Sequence, residues 1–142
     1  MKPDSFFIRF TYLPKARIGL RRDGIVQTDV FEEQELSVTD VKEVIDAIGR
    51  IAEQQLTPQL IIAAPLSGPD MHAMKYLASE GSSPYAIAEA YVITSLSQKI
   101  LGKFYLNFNK PARPTKIFGE EPAAIEWLLE KSRLYHSTRE SK

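Results

Sequence analysis

The chain offers few side chains able to do chemistry, and their spacing suits none of the common reactions. Its two histidines, His72 and His136, lie 64 positions apart. Neither has a second histidine one helical turn away, so a metal site would have to recruit at least two carboxylates from elsewhere. His72 has Asp70 nearby, but no Gly-x-Ser-x-Gly string supplies a nucleophile for such a pair to activate. Cysteine is absent, which excludes disulfides, thiolate zinc ligation and a cysteine nucleophile. Glu32, Glu33 and Glu35 cluster ahead of a helix start, in a loop expected to be solvated. General acid–base work needs carboxylates in unlike surroundings. Glu120 and Glu121 stand where the last helix opens, and its dipole accounts for them. No glycine-rich loop for nucleotide phosphates occurs. The expectation is a non-enzymatic domain without catalytic residues, metal or cofactor.

Charge is balanced overall, with 18 Lys and Arg against 18 Asp and Glu, but it is segregated along the chain. Residues 1–22 carry six bases and one acid, residues 23–60 nine acids and two bases, and residues 98–116 five bases and no acid. One consequence is mutual neutralisation across the folded surface. The other is a basic face made by Arg17, Arg21, Arg22, Lys99, Lys103, Lys110, Arg113 and Lys116, suited to an acidic protein or an anionic lipid surface. Zero net charge and the lack of aromatic RNA-binding strand motifs leave nucleic acid unexpected as a partner.

These side chains must be positioned by one domain: 142 residues, 44% of them apolar, suit a single core. That core is expected over about residues 5–133, with 134–142 a loose tail. No apolar run approaches the ~20 residues of a membrane span, and Met1–Ser5 has no signal-peptide character, so the cytoplasm is the expected compartment. Phe6–Tyr12 and Ala16–Leu20 read as strands. An Asp23-Gly24 hairpin turn leads into Ile25–Phe31, with Ile25, Gln27 and Asp29 on one face and Val26, Thr28 and Val30 on the other. Ser37 and Asp40 form a capping box, and Leu36 and Val41 a hydrophobic staple. Val41, Val44, Ile45, Ile48, Ile51 and Ala52 then form the buried stripe of an amphipathic helix.

Leu60–Ala64 is a continuous apolar run, as in a central strand covered on both faces. Ser67–Asp70 opens a second helix with an apolar face of Met71, Met74, Leu77 and Ala78. Tyr85–Ile93 is a strand, Thr94-Ser95 with Gln98 starts a third helix, and Thr115–Phe118 is a short strand. Gly119–Pro122 opens the last helix, in which Trp127 is a core anchor. This order implies an α/β fold: a mixed sheet with an N-terminal hairpin, later strands largely parallel, and about four helices.

Several strings along residues 16–131 resemble the SpoIIAA-like domains, small bacterial proteins related to the STAS domains of anti-sigma-factor antagonists. They are Asp23-Gly24-Ile25-Val26, the Ser37–Val41 helix start, the stretch from Ala90 to Phe118 with its Asn109-Lys110-Pro111…Pro114 segment, and Ala123–Leu129. The resemblance implies the SpoIIAA-like fold and a regulatory, protein-binding role. In signalling members a serine in the loop after a central strand is phosphorylated to control partner binding. The matching hydroxyl here is Ser67, although Pro65-Leu66-Ser67-Gly68 lacks the Asp-Ser-Ser-Gly pattern of regulated members; the other reading is that Ser67 caps the second helix.

The third helix carries the strongest surface signal. Leu96, Ser97, Ile100, Leu101, Phe104, Tyr105 and Phe108 span about 180° of its wheel, where a surface helix needs little more than ~100°. Lys99 and Lys103 lie outside that arc. Either the helix packs between the sheet and a neighbour, or Leu101, Tyr105 and Phe108, with Lys99 and Lys103, form an interaction surface. The expected function is protein contact, with a second copy of the chain as one partner. The alternative is a carrier of an apolar small molecule or lipid in a pocket lined by the third helix.

Overall fold

A computed structural model describes residues 1–79, 82–96, 98–100, 102–103 and 113–140. A six-stranded sheet runs in the order β1-β2-β3-β5-β7-β8. β1 (Arg9–Tyr12), β2 (Ala16–Leu20) and β3 (Val26–Val30) form an antiparallel meander. β5 (Thr57–Ala63), β7 (Ala86–Val92) and β8 (Thr115–Phe118) continue from β3 in parallel. Parallel neighbours require crossovers, and helices supply them. α1 (Val38–Ile51) links β3 to β5, and α2 (Met71–Ala78) links β5 to β7. α3, described at residues 96, 98–100 and 102–103, precedes β8. α4 (Glu121–Glu140) follows it. A short parallel ladder, β4 (Glu35–Leu36) with β6 (Gly68–Pro69), ties the entries of α1 and α2 together. This is the expected mixed α/β architecture, with the hairpin first and the parallel strands later.

Register separates the two faces of the sheet. Val26, Thr28 and Val30 align with Gln59, Ile61 and Ala63, and Gln59 and Ile61 align with Glu89 and Tyr91. Val26 packs under α1 with Ala47 and Ile51, while Val30 and Ile61 pack with Val41, Ala73 and Leu77. On the other face Leu60, Ala88, Ala90 and Val92 meet Ala124 and Leu128 of α4, with Phe118 and Trp127 alongside.

The α4 face of β2 and β3 is buried but polar. Arg17 Nη2 donates to Asp29 Oδ2 at 2.7 Å, Gln27 Nε2 to Asp29 Oδ1 at 2.9 Å, and Arg21 Nη1 to Gln27 Oε1 at 2.9 Å. The N-terminal segment covers this network. A Cβ on Gly19 would sit 2.5 Å from the Phe7 ring, so only glycine lets that ring lie flat on β2. Arg17 and Arg21 are therefore internal, and Arg113 is buried too, so the eight-residue basic face expected from the charge runs is not assembled. Burial forces these cations to find partners rather than solvent.

Other boundaries differ from the sequence expectation for local reasons. Asp4–Phe6 is a single 3-10 turn, and the first strand begins at Arg9. β5 starts at Thr57 and includes Pro58, with a register irregularity at that step. The 134–142 stretch, expected to be loose, is helical through Glu140. Tyr135 packs against the core, Thr138 Oγ1 donates to Leu134 O, and Arg139 Nη1 donates to Tyr135 Oη.

The capping box forms as expected: Asp40 N donates to Ser37 Oγ at 3.1 Å, and Ser37 N donates to Asp40 Oδ2 at 2.9 Å. Lys15 Nζ also donates to that carboxylate at 2.7 Å. The Lys15 bond, with the backbone bond from Ser37, holds the Asp40 carboxyl below its usual range. A depressed folded-state pKa stabilises the protein at neutral pH, and the stabilisation is lost as pH falls through the ordinary carboxylate range and below. Asp40→Asn should lower stability at pH 7 and narrow the wild-type advantage below about pH 4, as read from urea unfolding at several pH values. Ser37→Ala should cost about 1 kcal/mol by the same assay.

Candidate functional site

α1 does not seal against the sheet along its whole length. Val41, Ala47, Gly49 and Ile51 are buried, but Val44, Ile45 and Ile48 of the same stripe are only half-buried. They border a cleft of about 100 Å³ between α1, α2 and the row formed by β3, β5 and β7. Its walls are mostly apolar: Val30, Leu36, Val44, Ile45, Ile48, Ile61, Ala63 and Leu77. A second space of about 100 Å³ adjoins it toward α3, sharing Ala63, Gly68, Pro69, Leu77 and Tyr91 and adding Met74, Ile93, Gln98, Gly102 and Ile117.

The far end of the cleft is built on a buried ion pair. Arg113 Nη2 donates to Glu89 Oε2 at 3.0 Å, and the two side chains are 9% and 5% exposed. Arg113 also donates to Leu77 O at 2.7 Å and Ser82 Oγ at 3.0 Å. Glu89 accepts from Ser83 Oγ at 2.6 Å and Tyr91 Oη at 3.3 Å. At the opposite side Tyr85 closes over α1. A Cβ on Gly49 would lie 2.7 Å from its ring, and Tyr85 Oη donates to Gln54 Oε1 at 2.6 Å. Lining the cleft, two polar atoms, Thr28 Oγ1 and Gln59 Oε1, are buried without a hydrogen-bond partner among the described residues.

Of the described residues singled out from the sequence as candidate sites, none lines the first cleft, and Ser67 borders the second space. Ser67 is buried, and its Oγ donates to Ala64 O at 2.5 Å. The cap of α2 is Asp70, whose Oδ1 accepts from Ala73 N at 2.8 Å, so the Ser67 cap is corrected to Asp70 three residues on. Gln98 Nε2 binds Ala64 O at 2.9 Å and Ser67 O at 2.8 Å, which fastens α3 to the Ser67 loop.

The described part of α3 turns Gln98 and Gly102 inward. A Cβ on Gly102 would meet Ile117 at 2.5 Å. Leu96 and Ile100 point out, 74% and 61% exposed, beside exposed Lys99 and Lys103. Leu101, Tyr105 and Phe108 lie outside the described residues, as do Ser97, Phe104 and Lys110. His72 and His136 are exposed. Among the described residues no three His, Cys, Asp or Glu side chains converge as metal ligands. No helix among them is long and apolar enough to cross a membrane.

Sequence reasoning missed Thr28, Gln59 and Glu89 as a group. The available signal was a polar residue on the α1-facing side of each of three strands that are covered on both faces, where a side chain must find an internal partner.

Comparison with known proteins adds a fold and a family. A family described as a domain of unknown function, DUF7793, matches residues 18–132. The crystal structure of an uncharacterised protein of the DUF3478 family from Shewanella loihica PV-4, described as having a SpoIIAA-like fold, superposes with a TM-score of 0.57 at 16% identity. It covers 83% of this chain and 97% of its own. The fold is thus SpoIIAA-like, as the resemblance implied. No curated protein sequence matches.

Removing the Glu89 carboxylate would leave Arg113 buried and uncompensated. Glu89→Ala should destabilise by about 3–5 kcal/mol in urea unfolding, and Glu89→Met combined with Arg113→Met should recover most of that loss.

Proposed function

The chain belongs to the DUF7793 family, and we propose that it is a non-catalytic binding domain that takes a small, mostly apolar molecule into the cleft between α1, α2 and the sheet. One observation carries this reading: the stripe of α1 that should close the core leaves Val44, Ile45 and Ile48 bordering a space of about 100 Å³ with almost wholly apolar walls. Native interiors pack to near-crystal density, and voids larger than a water are few. An apolar cavity of ~150 Å³ elsewhere stays dry and binds benzene, so a space of this order suits a single ring or a short branched chain. The adjoining space beside Gln98 and Gly102 lets a longer body extend toward α3. The alternative foreseen from the sequence is a pocket lined by the apolar arc of the third helix; the described residues of α3 that border this second space are Gln98 and Gly102.

Toluene is a suitable probe. At ten times its dissociation constant it should raise the melting temperature by ~3–6 °C. Ala63→Leu, placed on the wall shared by both spaces, should fill them, abolish the shift, and leave the protein as stable or up to ~2 kcal/mol more so. An equal shift in wild type and Ala63→Leu would contradict the reading.

A second reading, regulation through protein contact, rests on a different observation. Leu96 and Ile100 face outward from α3, and Leu66, on the loop fastened to α3 by Gln98, and Met71, the first residue of α2, are each 70% exposed. Exposed large apolar side chains suit a protein partner, and a second copy of the chain is the simplest. Replacing both Leu96 and Ile100 with Glu should leave thermal unfolding unchanged and abolish self-association in sedimentation velocity. A wild-type chain monomeric at 1 mM (roughly the upper limit for a weak contact) would exclude the homodimer.

A further inference from the structure

Resting on the ligand reading of the cleft, we infer that its occupant is a neutral molecule with one hydroxyl group, an apolar alcohol or phenol, whose hydroxyl lies between Thr28 and Gln59. Thr28 and Gln59 are 2% and 3% exposed, both line the cleft, and Thr28 Oγ1 and Gln59 Oε1 have no hydrogen-bond partner among the described residues. Buried polar side-chain atoms are nearly always paired, so two orphans in one apolar space point to a partner that completes them. Register makes them diagonal neighbours on one face: Val26 aligns with Gln59 and Thr28 with Ile61 on adjacent parallel strands.

The orientation of the Gln59 amide is fixed by its surroundings. Nε2 donates to Thr57 Oγ1 at 2.6 Å and to Tyr85 O at 3.5 Å, and a carbonyl can only accept. Oε1 is therefore the atom left over, and an amide oxygen requires a donor. The Thr28 hydroxyl can donate in turn. A ligand hydroxyl satisfies both atoms at once, giving its proton to Gln59 and accepting from Thr28. A ketone or ether would leave Gln59 unpaired, and an aromatic ring N–H such as that of an indole would serve Gln59 alone. Charge is not called for, because Glu89, the one carboxylate lining the cleft among the described residues, already accepts from Ser83, Tyr91 and Arg113.

Phenol and toluene, nearly equal in shape and differing in hydroxyl against methyl, test this by calorimetric titration of wild type, Thr28→Val and Gln59→Met. The phenol-to-toluene affinity ratio should fall about tenfold from wild type to Gln59→Met and several-fold in the near-isosteric Thr28→Val, the scale of one buried hydrogen bond. Toluene affinity should hold or improve. If both probes bind and the ratio is the same in all three proteins, the hydroxyl assignment is overturned while the cleft reading stands. A trapped water satisfying the two atoms would give that same result. If neither probe binds wild type, the cleft reading falls and this inference with it.

Discussion

The pair Arg113–Glu89 joins the chain entering β8 to the centre of β7 and, through Leu77 O, to the end of α2. A guanidinium and a carboxylate this deeply buried tolerate separation poorly, because either one alone would keep an uncompensated charge away from water. The pair is also hydrogen-bonded outward. Arg113 reaches the end of α2 through Leu77 O and the following loop through Ser82, and Ser83 and Tyr91 reach Glu89. The start of β8, the centre of β7, the end of α2 and the loop before β7 are thereby fixed at one point. Leu77, Ser83, Glu89 and Tyr91 are also walls of the cleft. Its far end is consequently held by charged and polar contacts, while its near side is formed by half-buried aliphatic side chains of α1.

The two faces of the sheet solve burial differently. Under α4 the strands close on Ala88, Ala90, Ala124 and Leu128, where small residues let helix and sheet approach closely, and on the polar lattice of Arg17, Asp29, Gln27 and Arg21. Every cation in that lattice has an acidic or amide partner, and the N-terminal segment lies over it. Under α1 and α2 the row contains Thr28, Gln59 and Glu89 among aliphatic residues, and only Glu89 is fully paired. The face that is completed by protein is structural, and the face left incomplete is where binding is proposed.

Much of the frame was legible in the sequence because single residues dictate it. Ser37 with Asp40 announces α1, Asp23-Gly24 announces the turn into β3, and the bounds of β2 and β8 follow from short apolar runs between breakers. The cleft was not legible. Thr28, Gln59 and Glu89 lie about thirty residues apart, and only the parallel register brings them into one row. The stripe on α1 read as sealed core, since periodicity tells which side of a helix faces inward and not whether the opposite surface fills the space. Ser67 read as a cap because a serine before Gly-Pro-Asp fits that role, but the carboxylate of Asp70 reaches Ala73 N directly. On α3 the apolar arc suggested burial or contact, and tight packing of Gly102 on Ile117 decides which residues turn inward.

The central claim is that the space between α1, α2 and the sheet admits a ligand. Amide and methyl NMR spectra recorded while toluene is added test it most directly. The account predicts saturable shifts at Thr28, Ile45, Ile48, Ile61 and Leu77, with Ala124 and Leu128 beneath α4 unmoved. Shifts that fail to saturate, or that fall on the α4 side and leave the α1 side untouched, would contradict it.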